Sequence, residues 1–547
     1  MNINATVLIL AAGKVTHRLN SLLVKFECPA LLPLNTRCVA SYAIEFYQSK
    51  GIKPILVIER EFENDVLSEL KYLKGSYELK LIDSSEGVID TLKKASNNIQ
   101  FAEDVIVNVV TSVPVKIPSK NEVLIDSLQT QNISWSCISF VDNSDISYLP
   151  KLQTPSGYGY AFTGIFNLES KIFLESLQRL SASEKDLMSV IVFASKYIDL
   201  HFTQSLWVDC GHKTNYLDAK IKLISSRSFN SVKVDQAGVI TKSSRHKLKT
   251  IDEFSFLQML PQDISVFFPR SFQLEVSDQL TSYKMEYYGY PTVAELQLYW
   301  MLDVDLWSRF FNKIEFILNL FKQHPYSIGK KTHFEFYWQK LEDRIGDFVV
   351  KCKASNILDE RIFKSDLLIN GLLCKSYDLL KGNIYSRIDE MYNESDFCLM
   401  HGDFCFNNIL FDIYSGVIRL IDPRGSFGEG AKGIFGDIKY DLAKFLHSSV
   451  YHYDYIVNYQ FSIEEKEEND YFIKFNLREN HDILESMSFD LIKKLGYTRH
   501  EIEFLVALLF MSMAPLHLDS ITKAKAMYLH GLYLLNKNLN YNNENLF

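Results

Sequence analysis

The residues best suited to chemistry lie in the stretch 399–425, LMHGDFCFNNILFDIYSGVIRLIDPRG. Asn408 follows Asp403 by five residues, and Asp422 ends the next apolar run. Phosphoryl transfer from a magnesium nucleotide needs one carboxylate that accepts the hydroxyl proton. It also needs an amide and a second carboxylate that hold the metal on the β- and γ-phosphates. We therefore predict Asp403 as the catalytic base, with Asn408 and Asp422 as ligands of Mg²⁺ bound with ATP.

Two short strands would have to position these three side chains. Residues 409–411 and 417–421 are apolar runs around a turn at 412–416, a pattern typical of a hairpin. Such a hairpin would bring the three side chains to one end of a small sheet. The competing interpretation is that Asp403 caps a helix and that Asp422 merely ends a strand.

The spacing HGDxxxxN, followed by an aspartate on a strand, resembles the catalytic loop of the aminoglycoside phosphotransferase and choline kinase families, which are relatives of the protein kinases. This resemblance implies an α+β protein-kinase-like bilobal domain that uses ATP and magnesium on a small-molecule acceptor. The segment GDxxYDLAK that begins at Gly436 also resembles these phosphotransferases. There Asp437 would tie down the catalytic loop and Asp441 would start a helix. Arg424 would contact a phosphate or an anionic acceptor, or form an internal salt bridge.

Residues 225–291 are predicted to form the N-lobe of this kinase-like domain. Lys242 lies on a predicted strand, eleven residues before Glu253, which falls in a helical pattern. A strand lysine paired with a helix glutamate positions the α- and β-phosphates in such lobes. We therefore expect Lys242 and Glu253 to bind the nucleotide, with Lys233 as the competing lysine.

The end of the lobe, residues 281–291, resembles the last N-lobe strand and the hinge of kinases. The backbone from Glu286 to Tyr288 would then meet the adenine edge. The alternative is an ordinary edge strand that ends at Gly-Tyr-Pro.

Residues 292–547 are predicted to form a helical C-lobe. Apolar residues recur at three- and four-residue steps in residues 307–321, 337–354, 366–380, 501–516 and 521–535. The asparagine-rich tail 536–547 is expected to fray. The histidines and tyrosines of residues 440–455 would either line an acceptor pocket or belong to the core.

Residues 1–224 show strands alternating with helices, which predicts an α/β, Rossmann-like domain with a mostly parallel sheet. Its first strand ends at Gly13, where a glycine turn can offer backbone N–H groups to phosphates. The segments LAAG, PALLPLN, YGYAFTGIF and WVDCGH resemble sugar-nucleotide and choline-phosphate nucleotidyltransferases. The resemblance implies nucleotide contacts at Gly13 and Arg18 and a metal-binding role for Asp209.

This domain also departs from that family. Pro29 stands where the family has a lysine, and residues 109–114, VVTSVP, contain no carboxylate where it has an aspartate. Asp209 alone would hold magnesium with little help from the protein. The domain is therefore either a degenerate transferase or an active one in which Lys14 or Lys25 replaces the lost lysine.

Bulk properties narrow the class of protein. A chain of 547 residues is too long for one core. Its formal charge of −9 argues against a nucleic-acid partner, and its eight scattered cysteines suit reduced thiols. Because the apolar runs are short and the first residues lack a signal-peptide pattern, we expect a cytoplasmic protein without stable membrane insertion. The oligomeric state stays open.

The leading hypothesis is an ATP- and Mg²⁺-dependent kinase that phosphorylates a hydroxyl of a sugar, polyol or amino alcohol. The order of domains resembles proteins of bacterial capsule and lipopolysaccharide biosynthesis, which implies a role in surface polysaccharide biosynthesis. One alternative is a bifunctional enzyme like a choline kinase fused to a cytidylyltransferase. Another is a non-catalytic assembly protein that binds nucleotides.

Overall fold

The computed structural model describes residues 4–15, 27–127, 135–142, 145–149, 159–211, 215–216, 219–220, 230–235, 237–300, 302–355, 358–428 and 433–544. The chain forms two compact units, unit 1 (Met1–Leu223) and unit 2 (Ile224–Phe547). Arg18 and Lys25, which the sequence analysis named, lie outside the described residues, as do Tyr158 of the segment YGYAFTGIF and His212 of the segment WVDCGH.

Unit 1 contains thirteen described strands and five described α-helices. The strands are β1 (Ala5–Leu10), β2 (Pro33–Leu34), β3 (Arg37–Cys38), β4 (Ile55–Glu59), β5 (Glu78–Ile82), β6 (Asp104–Val109), β7 (Ser112–Val113), β8 (Glu122–Ser127), β9 (Cys137–Asp142), β10 (Asp145–Leu149), β11 (Tyr160–Glu169), β12 (His201–Gln204) and β13 (Val208–Asp209). The helices are α1 (Val39–Gln48), α2 (Glu63–Glu69), α3 (Val88–Ser96), α4 (Ser170–Arg179) and α5 (Met188–Ala194).

The main sheet of unit 1 confirms the α/β class. Strands β5, β4, β1 and β6 are parallel neighbours in that order, and β1 is buried along its last four residues. The sheet then continues through β11, which runs antiparallel to β6, β8 and β9. The predicted parallel arrangement therefore holds in the centre, and the outer strands make the sheet mixed. The carboxyl end of β1 leads directly to Gly13.

Unit 2 begins with a four-stranded antiparallel sheet and continues mainly as helices. Its strands are β14 (Asn230–Val234), β15 (Val239–Ser244), β16 (Ser271–Val276), β17 (Thr281–Glu286), β18 (Leu367–Ile369), β19 (Leu372–Cys374), β20 (Phe397–Leu399), β21 (Ile409–Phe411), β22 (Ile418–Leu420), β23 (Phe435–Asp437), β24 (Phe461–Glu467) and β25 (Asp470–Phe475). Its α-helices are α6 (Lys247–Met259), α7 (Gln262–Ser265), α8 (Val293–Tyr299), α9 (Val304–Lys322), α10 (Lys330–Phe334), α11 (Lys340–Ser355), α12 (Arg361–Lys364), α13 (Tyr377–Glu390), α14 (Ile438–Ser449), α15 (Tyr453–Val457), α16 (His481–Lys494), α17 (Arg499–Met513) and α18 (Ile521–Glu544).

The two parts of unit 2 match the predicted α+β, bilobal architecture. The first sheet has the order β14-β15-β17-β16, and α6 packs against β16 and β17. In the helical part, α17 starts at a capping box in which Thr498 and Glu501 satisfy each other's backbone N–H groups, and it packs against α14 and α18. The hairpin of β21 and β22, with Ile409 opposite Leu420, lies where the sequence predicted it.

The helix predicted at residues 366–380 is wrong in its first half. Strands β18 and β19 form a hairpin there, and only then does α13 begin at Tyr377. The turn residues Asn370 and Gly371 have φ values of 48° and 81°. An Asn-Gly pair favours this left-handed turn, because asparagine tolerates a positive φ and glycine adopts it without steric cost. The predicted fraying is also wrong for Asn536, which is buried within α18 and hydrogen-bonds the backbone of Lys375.

A π-helical segment, Glu335–Gln339, separates α10 from α11 in an otherwise continuous helix. It carries the buried side chains Phe336 and Tyr337. A π turn contains one more residue than an α-turn and is frequent at functional sites. All eight cysteines are free and buried. Within the described ranges, no helix combines the length and apolar character that a membrane crossing requires.

Candidate active site

The loop that contains Asp403 is held by a carboxylate from α14. The buried Asp441 accepts hydrogen bonds from the backbone N–H groups of His401, at 2.6 Å, and Gly402, at 2.8 Å. Gly402 has a φ of 80°, and a Cβ there would lie 2.5 Å from the Cβ of Arg424. The loop therefore needs glycine at this position, both for its backbone angle and for the close approach of the segment after Asp422.

Asp403 is fixed through both carboxylate oxygens. Its Oδ2 accepts a hydrogen bond of 2.9 Å from Nδ2 of Asn408, and its Oδ1 lies 2.8 Å from Nζ of the buried Lys444. Burial alone would raise the pKa of Asp403, but the charge and hydrogen bond of Lys444 outweigh burial and hold that pKa well below its usual range. Asp403 is therefore an ionised carboxylate, and 39% of its side chain remains exposed.

Lys242 joins the two lobes of unit 2. Its Nζ lies 2.5 Å from Oε1 of Glu253 and 2.8 Å from Oδ1 of Asp422. Glu253 is buried and also accepts a hydrogen bond of 2.6 Å from the hydroxyl of Tyr283. The competing lysine, Lys233, lies on β14 and is exposed.

The hairpin brings Asp422 back beside the catalytic loop. The N–H of Ile421 donates to the carbonyl of Asn408 at 3.0 Å, and the N–H of Arg424 donates to the carbonyl of His401 at 2.9 Å. Asp422 itself has a φ of 57°, in the left-handed region that aspartate tolerates better than most residues. The structure therefore assembles Asp403, Asn408 and Asp422 in one place.

Electrostatics agree with this grouping. Burial lowers the pKa of His401 to about 4, against the charges of Asp403 and Asp422, which both act to raise it. The two carboxylates thus lie near one neutral imidazole. Burial would raise the pKa of Asp422, but Lys242 outweighs it, so the pKa is lowered and the carboxylate stays ionised.

The donor set near Asp422 fits a magnesium ion. Nδ2 of Asn408 donates to the backbone carbonyl and the carboxylate of Asp403, both at 2.9 Å, so its amide oxygen is the atom that would bind a metal ion. The carboxylate of Asp422 is 47% exposed. Carboxylate and amide oxygens are the ligands that Mg²⁺ prefers, together with phosphates and water. No cluster of three or more His, Cys, Asp or Glu side chains suited to a metal occurs in the described part of the chain.

The predicted hinge residues end the last strand of the first sheet. Glu286 is the final residue of β17, and its carboxylate accepts hydrogen bonds from the N–H of Arg270, at 3.1 Å, and the hydroxyl of Tyr288, at 2.8 Å. The ring of Tyr288 lies 4.7 Å from the guanidinium of Arg419. These contacts fix the side chains, and an adenine contact from the backbone remains a prediction.

The structure reverses the two roles expected in the GDxxYDLAK segment. Asp437 caps α14 by accepting the N–H of Lys439 at 2.9 Å, whereas Asp441 holds the catalytic loop. The two carboxylates are four residues apart, and only the one within the helix faces the loop. Among the aromatic residues that follow, His447 is buried in the core, and its ring stacks on the half-buried Tyr453 with ring centroids 4.3 Å apart.

Sequence reasoning missed Lys444, Lys340 and Arg344, which all lie near this site. Lys444 could have been found, because it follows Asp441 by three residues and therefore shares its helix face. Lys340 and Arg344 come from α11, far away in sequence. No local spacing links them to Asp403.

In unit 1, the backbone N–H of Gly13, which is predicted to contact a nucleotide, already donates a hydrogen bond to another residue of the protein. Gly13 has a φ of 88°, and its N–H donates to Oε1 of Glu59 at 3.2 Å. Lys14 is paired with Glu27 at 2.8 Å and Glu61 at 3.5 Å. The N–H that would bind an anionic phosphate oxygen thus binds a carboxylate oxygen of the protein.

Asp209 is buried and accepts hydrogen bonds from three N–H donors. These are the N–H of Gly211 at 2.8 Å, the indole of Trp135 at 3.3 Å and the amide of Asn215 at 2.8 Å. The neighbouring Ser112, opposite Asp209 in the β7–β13 pair, accepts a bond of 3.1 Å from the indole of Trp207. These three donors are neutral, and residues 109–114 supply no second carboxylate beside Asp209.

Comparison with known proteins gave matches among solved structures only. No protein-family model matches the chain, and no curated protein matches its sequence. HddC from Yersinia pseudotuberculosis is 15% identical, with 40% of this chain and 99% of that chain covered and a TM-score of 0.31. The CTP:phosphocholine cytidylyltransferase LicC from Streptococcus pneumoniae is 18% identical, with 40% and 100% covered and a TM-score of 0.32. A thermostable mutant of the aminoglycoside phosphotransferase APH(4)-Ia is 12% identical, with 57% and 93% covered and a TM-score of 0.36.

Proposed function

We propose that unit 2 is an ATP- and Mg²⁺-dependent kinase that phosphorylates a hydroxyl group of a small molecule. One observation carries this proposal: Lys242 binds both Glu253 and Asp422, and the loop that follows Asp422 is bonded to the loop of Asp403. A nucleotide-binding lysine, two carboxylates and an amide in one cluster form the set of groups that phosphoryl transfer requires.

The nucleotide would meet Lys242 first. Glu253 holds the ammonium group in place from the buried side, so that the lysine can bind the α- and β-phosphates. Asn408 and Asp422 would hold the magnesium ion, which neutralises charge on the β- and γ-phosphates when bound. Glu286 and Tyr288 would offer their backbone to the adenine.

Asp403 would act on the acceptor hydroxyl. Because Lys444 keeps Asp403 ionised, the carboxylate accepts a hydrogen bond from the hydroxyl and orients its oxygen towards the γ-phosphate. Its low pKa makes it a weak base. This is adequate, since the loose transition state of phosphoryl transfer needs positioning more than early proton removal. Asn408 keeps the carboxylate from rotating.

The acceptor that we propose is a sugar, a polyol or an amino alcohol destined for a surface polysaccharide, with the reaction in the cytoplasm. This part rests on the sequence resemblance. Unit 1 is proposed to be a degenerate transferase, because Glu59 accepts the hydrogen bond of the Gly13 N–H and residues 109–114 supply no second carboxylate beside Asp209.

The kinase proposal is tested by following phosphate transfer from labelled ATP to a panel of sugars, polyols, choline and ethanolamine. We expect Asp403→Asn to lower turnover by about 10² to 10⁴, the range for loss of a general base. Asp347→Asn, an exposed carboxylate on α11, is the matched control. Unchanged turnover in Asp403→Asn would contradict the assignment, and ATP binding without any turnover would favour the non-catalytic alternative.

The bifunctional alternative has a separate test. Pyrophosphate release is measured with CTP, UTP and GTP, on the wild type and on Asp209→Ala. We expect no release above background. Release that disappears in Asp209→Ala would show that unit 1 is an active nucleotidyltransferase.

A further inference from the structure

We infer that the acceptor carries an acidic group, a phosphate or a carboxylate, which binds a cluster of cationic side chains beside Asp403. The inference rests on the proposed kinase function and names the class of its substrate. The cationic cluster consists of Lys340, Arg344, Arg424 and Lys444.

Two members of the cluster meet at one tyrosine. Nζ of Lys340 and Nη1 of Arg424 both donate to the hydroxyl oxygen of Tyr440, at 3.2 and 3.3 Å. Both cations also lie over the ring of Phe336, at 4.3 Å for Lys340 and 5.0 Å for Arg424. Two basic side chains from distant parts of the sequence are thus held close together by neutral groups.

The other two members follow one helical turn further on. Arg344 lies four residues after Lys340 on α11, and its Nη1 donates to the carbonyl of Ser512 at 3.1 Å. Lys444 lies four residues after Tyr440 on α14 and binds Asp403. The cluster therefore extends from α11 to the proposed catalytic carboxylate.

The cluster has too little negative charge of its own. Within the described residues, Lys340, Arg344 and Arg424 form no ion pair, and Asp403 is already paired with Lys444. Burial lowers the pKa of Lys340 well below its usual range, and the charges of Arg424, Arg344 and Lys444 lower it further. Crowding cations in a partly buried place is unfavourable, and an anionic ligand would relieve this repulsion.

A small cavity opens beside Lys340. Its wall includes Phe336, Lys340, Tyr440, Leu505, Leu509 and Ser512, from the π-helical segment, α11, α14 and α17. No lining residue comes from the first sheet or from α6, which carry Lys242 and Glu253. Lys340 is the member of the cluster that lines this cavity, and through the hydroxyl of Tyr440 it is connected to Arg424.

The charge of the cluster selects among the acceptor classes. A sugar or polyol that carries a phosphate or a carboxylate would place its anion on Lys340, Arg344 and Arg424 and its hydroxyl near Asp403. Choline or ethanolamine would bring a cation to the same place, which is unfavourable. The acceptor is therefore an acidic sugar or polyol derivative and not an amino alcohol.

The first test measures binding without turnover. Glycerol 3-phosphate, tartrate, glycerol and ethanolamine are titrated into the full-length protein at low salt by calorimetry. We expect the two anions to bind and the other two not to. Lys340→Met and Arg344→Met should each weaken anion binding by about tenfold, the effect of losing one hydrogen bond to a charged group. Lys351→Met, an exposed lysine on the same helix, is the matched control.

A nucleotide-side variant distinguishes the two sites. If the anions lose affinity in Lys242→Met and keep it in Lys340→Met and Arg344→Met, they bind where the nucleotide phosphates would, and the inference is wrong. It is equally wrong if neither anion binds the wild type. Circular dichroism of each variant shows whether the fold persists, and either of the two cluster variants is sufficient for the comparison.

The second test separates the inference from the proposed function. Phosphate transfer from labelled ATP is measured with the same four compounds. Transfer to glycerol or ethanolamine in preference to the anions would overturn the inference and leave the kinase function standing. Anion binding through Lys340 and Arg344 together with no ATP-dependent transfer to any acceptor would support the anion site and overturn the kinase function.

Discussion

The main effect of removing Lys444 at this site should be on the pKa of Asp403. In Lys444→Met, the carboxylate loses the ammonium group that lies 2.8 Å from its Oδ1. An opposite charge at such a distance lowers a carboxylate pKa by about 1 to 3 units. Because 39% of the Asp403 side chain is exposed, solvent screens part of this effect, and we take about 1 to 2 units.

The pH dependence of kcat/KM for phosphate transfer measures this change. The acidic limb of the profile reports the pKa of the free enzyme's base, so it should move up by about 1 to 2 units in Lys444→Met. Lys439→Met is the matched control, since Lys439 is a buried lysine of the same helix that pairs with Asp396 at 2.8 Å, away from the catalytic loop. It should lose stability and keep the acidic limb.

The same variant has a predictable stability profile. The pKa of Asp403 is lower in the folded than in the unfolded state, so its favourable contribution is present above about pH 4 and is lost as the pH falls through the folded pKa. In Lys444→Met the carboxylate loses its cationic partner. Because solvent screens the half-exposed Asp403, the variant should be less stable at pH 7 by only about 1 to 3 kcal/mol. That deficit should shrink at low pH, where Asp403 is protonated. An acidic limb that does not move would refute the role of Lys444.

Three further predictions concern other parts of unit 2. Lys242→Met should weaken ATP binding, measured by calorimetry, and lower the free energy of unfolding by about 3 kcal/mol, because it leaves a buried glutamate without its partner; exposed Lys233→Met is the control. Gly402→Ala should lower both kcat and the free energy of unfolding, because the new Cβ would lie 2.5 Å from the Cβ of Arg424 and displace the catalytic loop. His530→Gln should flatten the loss of stability between pH 6.5 and pH 4 in urea unfolding. Burial lowers the pKa of His530 to about 4, so the unfolded chain takes up this proton first as the pH falls.

For each of these three predictions, one result would contradict the reasoning. Equal ATP affinities in Lys242→Met and Lys233→Met would remove Lys242 from the nucleotide site. Normal kcat in Gly402→Ala would show that the catalytic loop tolerates the displacement. A pH dependence in His530→Gln equal to that of the wild type would mean that other groups dominate acid unfolding.

The parts of the site that could be predicted are those encoded by local spacing. Asp403, Asn408 and Asp422 lie within twenty residues of each other around a hairpin, so a sequence pattern sufficed to group them. Lys242 and Glu253 are eleven residues apart on a strand and the following helix. In both cases the geometry of one or two elements fixes the distance.

The parts that could not be predicted depend on tertiary packing or on a choice between two similar residues. The cationic cluster forms only when α11 packs near α14 and α17, and no spacing records that contact. Asp437 and Asp441 are both aspartates near a helix start, and their roles depend on where α14 begins, which a sequence locates only to within a few residues. The Asn370-Gly371 turn carried a hairpin signal that the apolar periodicity around it obscured.

The π-helical segment Glu335–Gln339 determines the direction in which every later side chain of that helix points. Each residue of an α-helix advances the side-chain direction by about 100°. Deleting Trp338 would restore a regular helix and turn Lys340 and Arg344 by about that angle, away from Tyr440. One inserted residue is thus what aims Lys340 and Arg344 of α11 at the site, and a variant without it should lose affinity for an anionic acceptor.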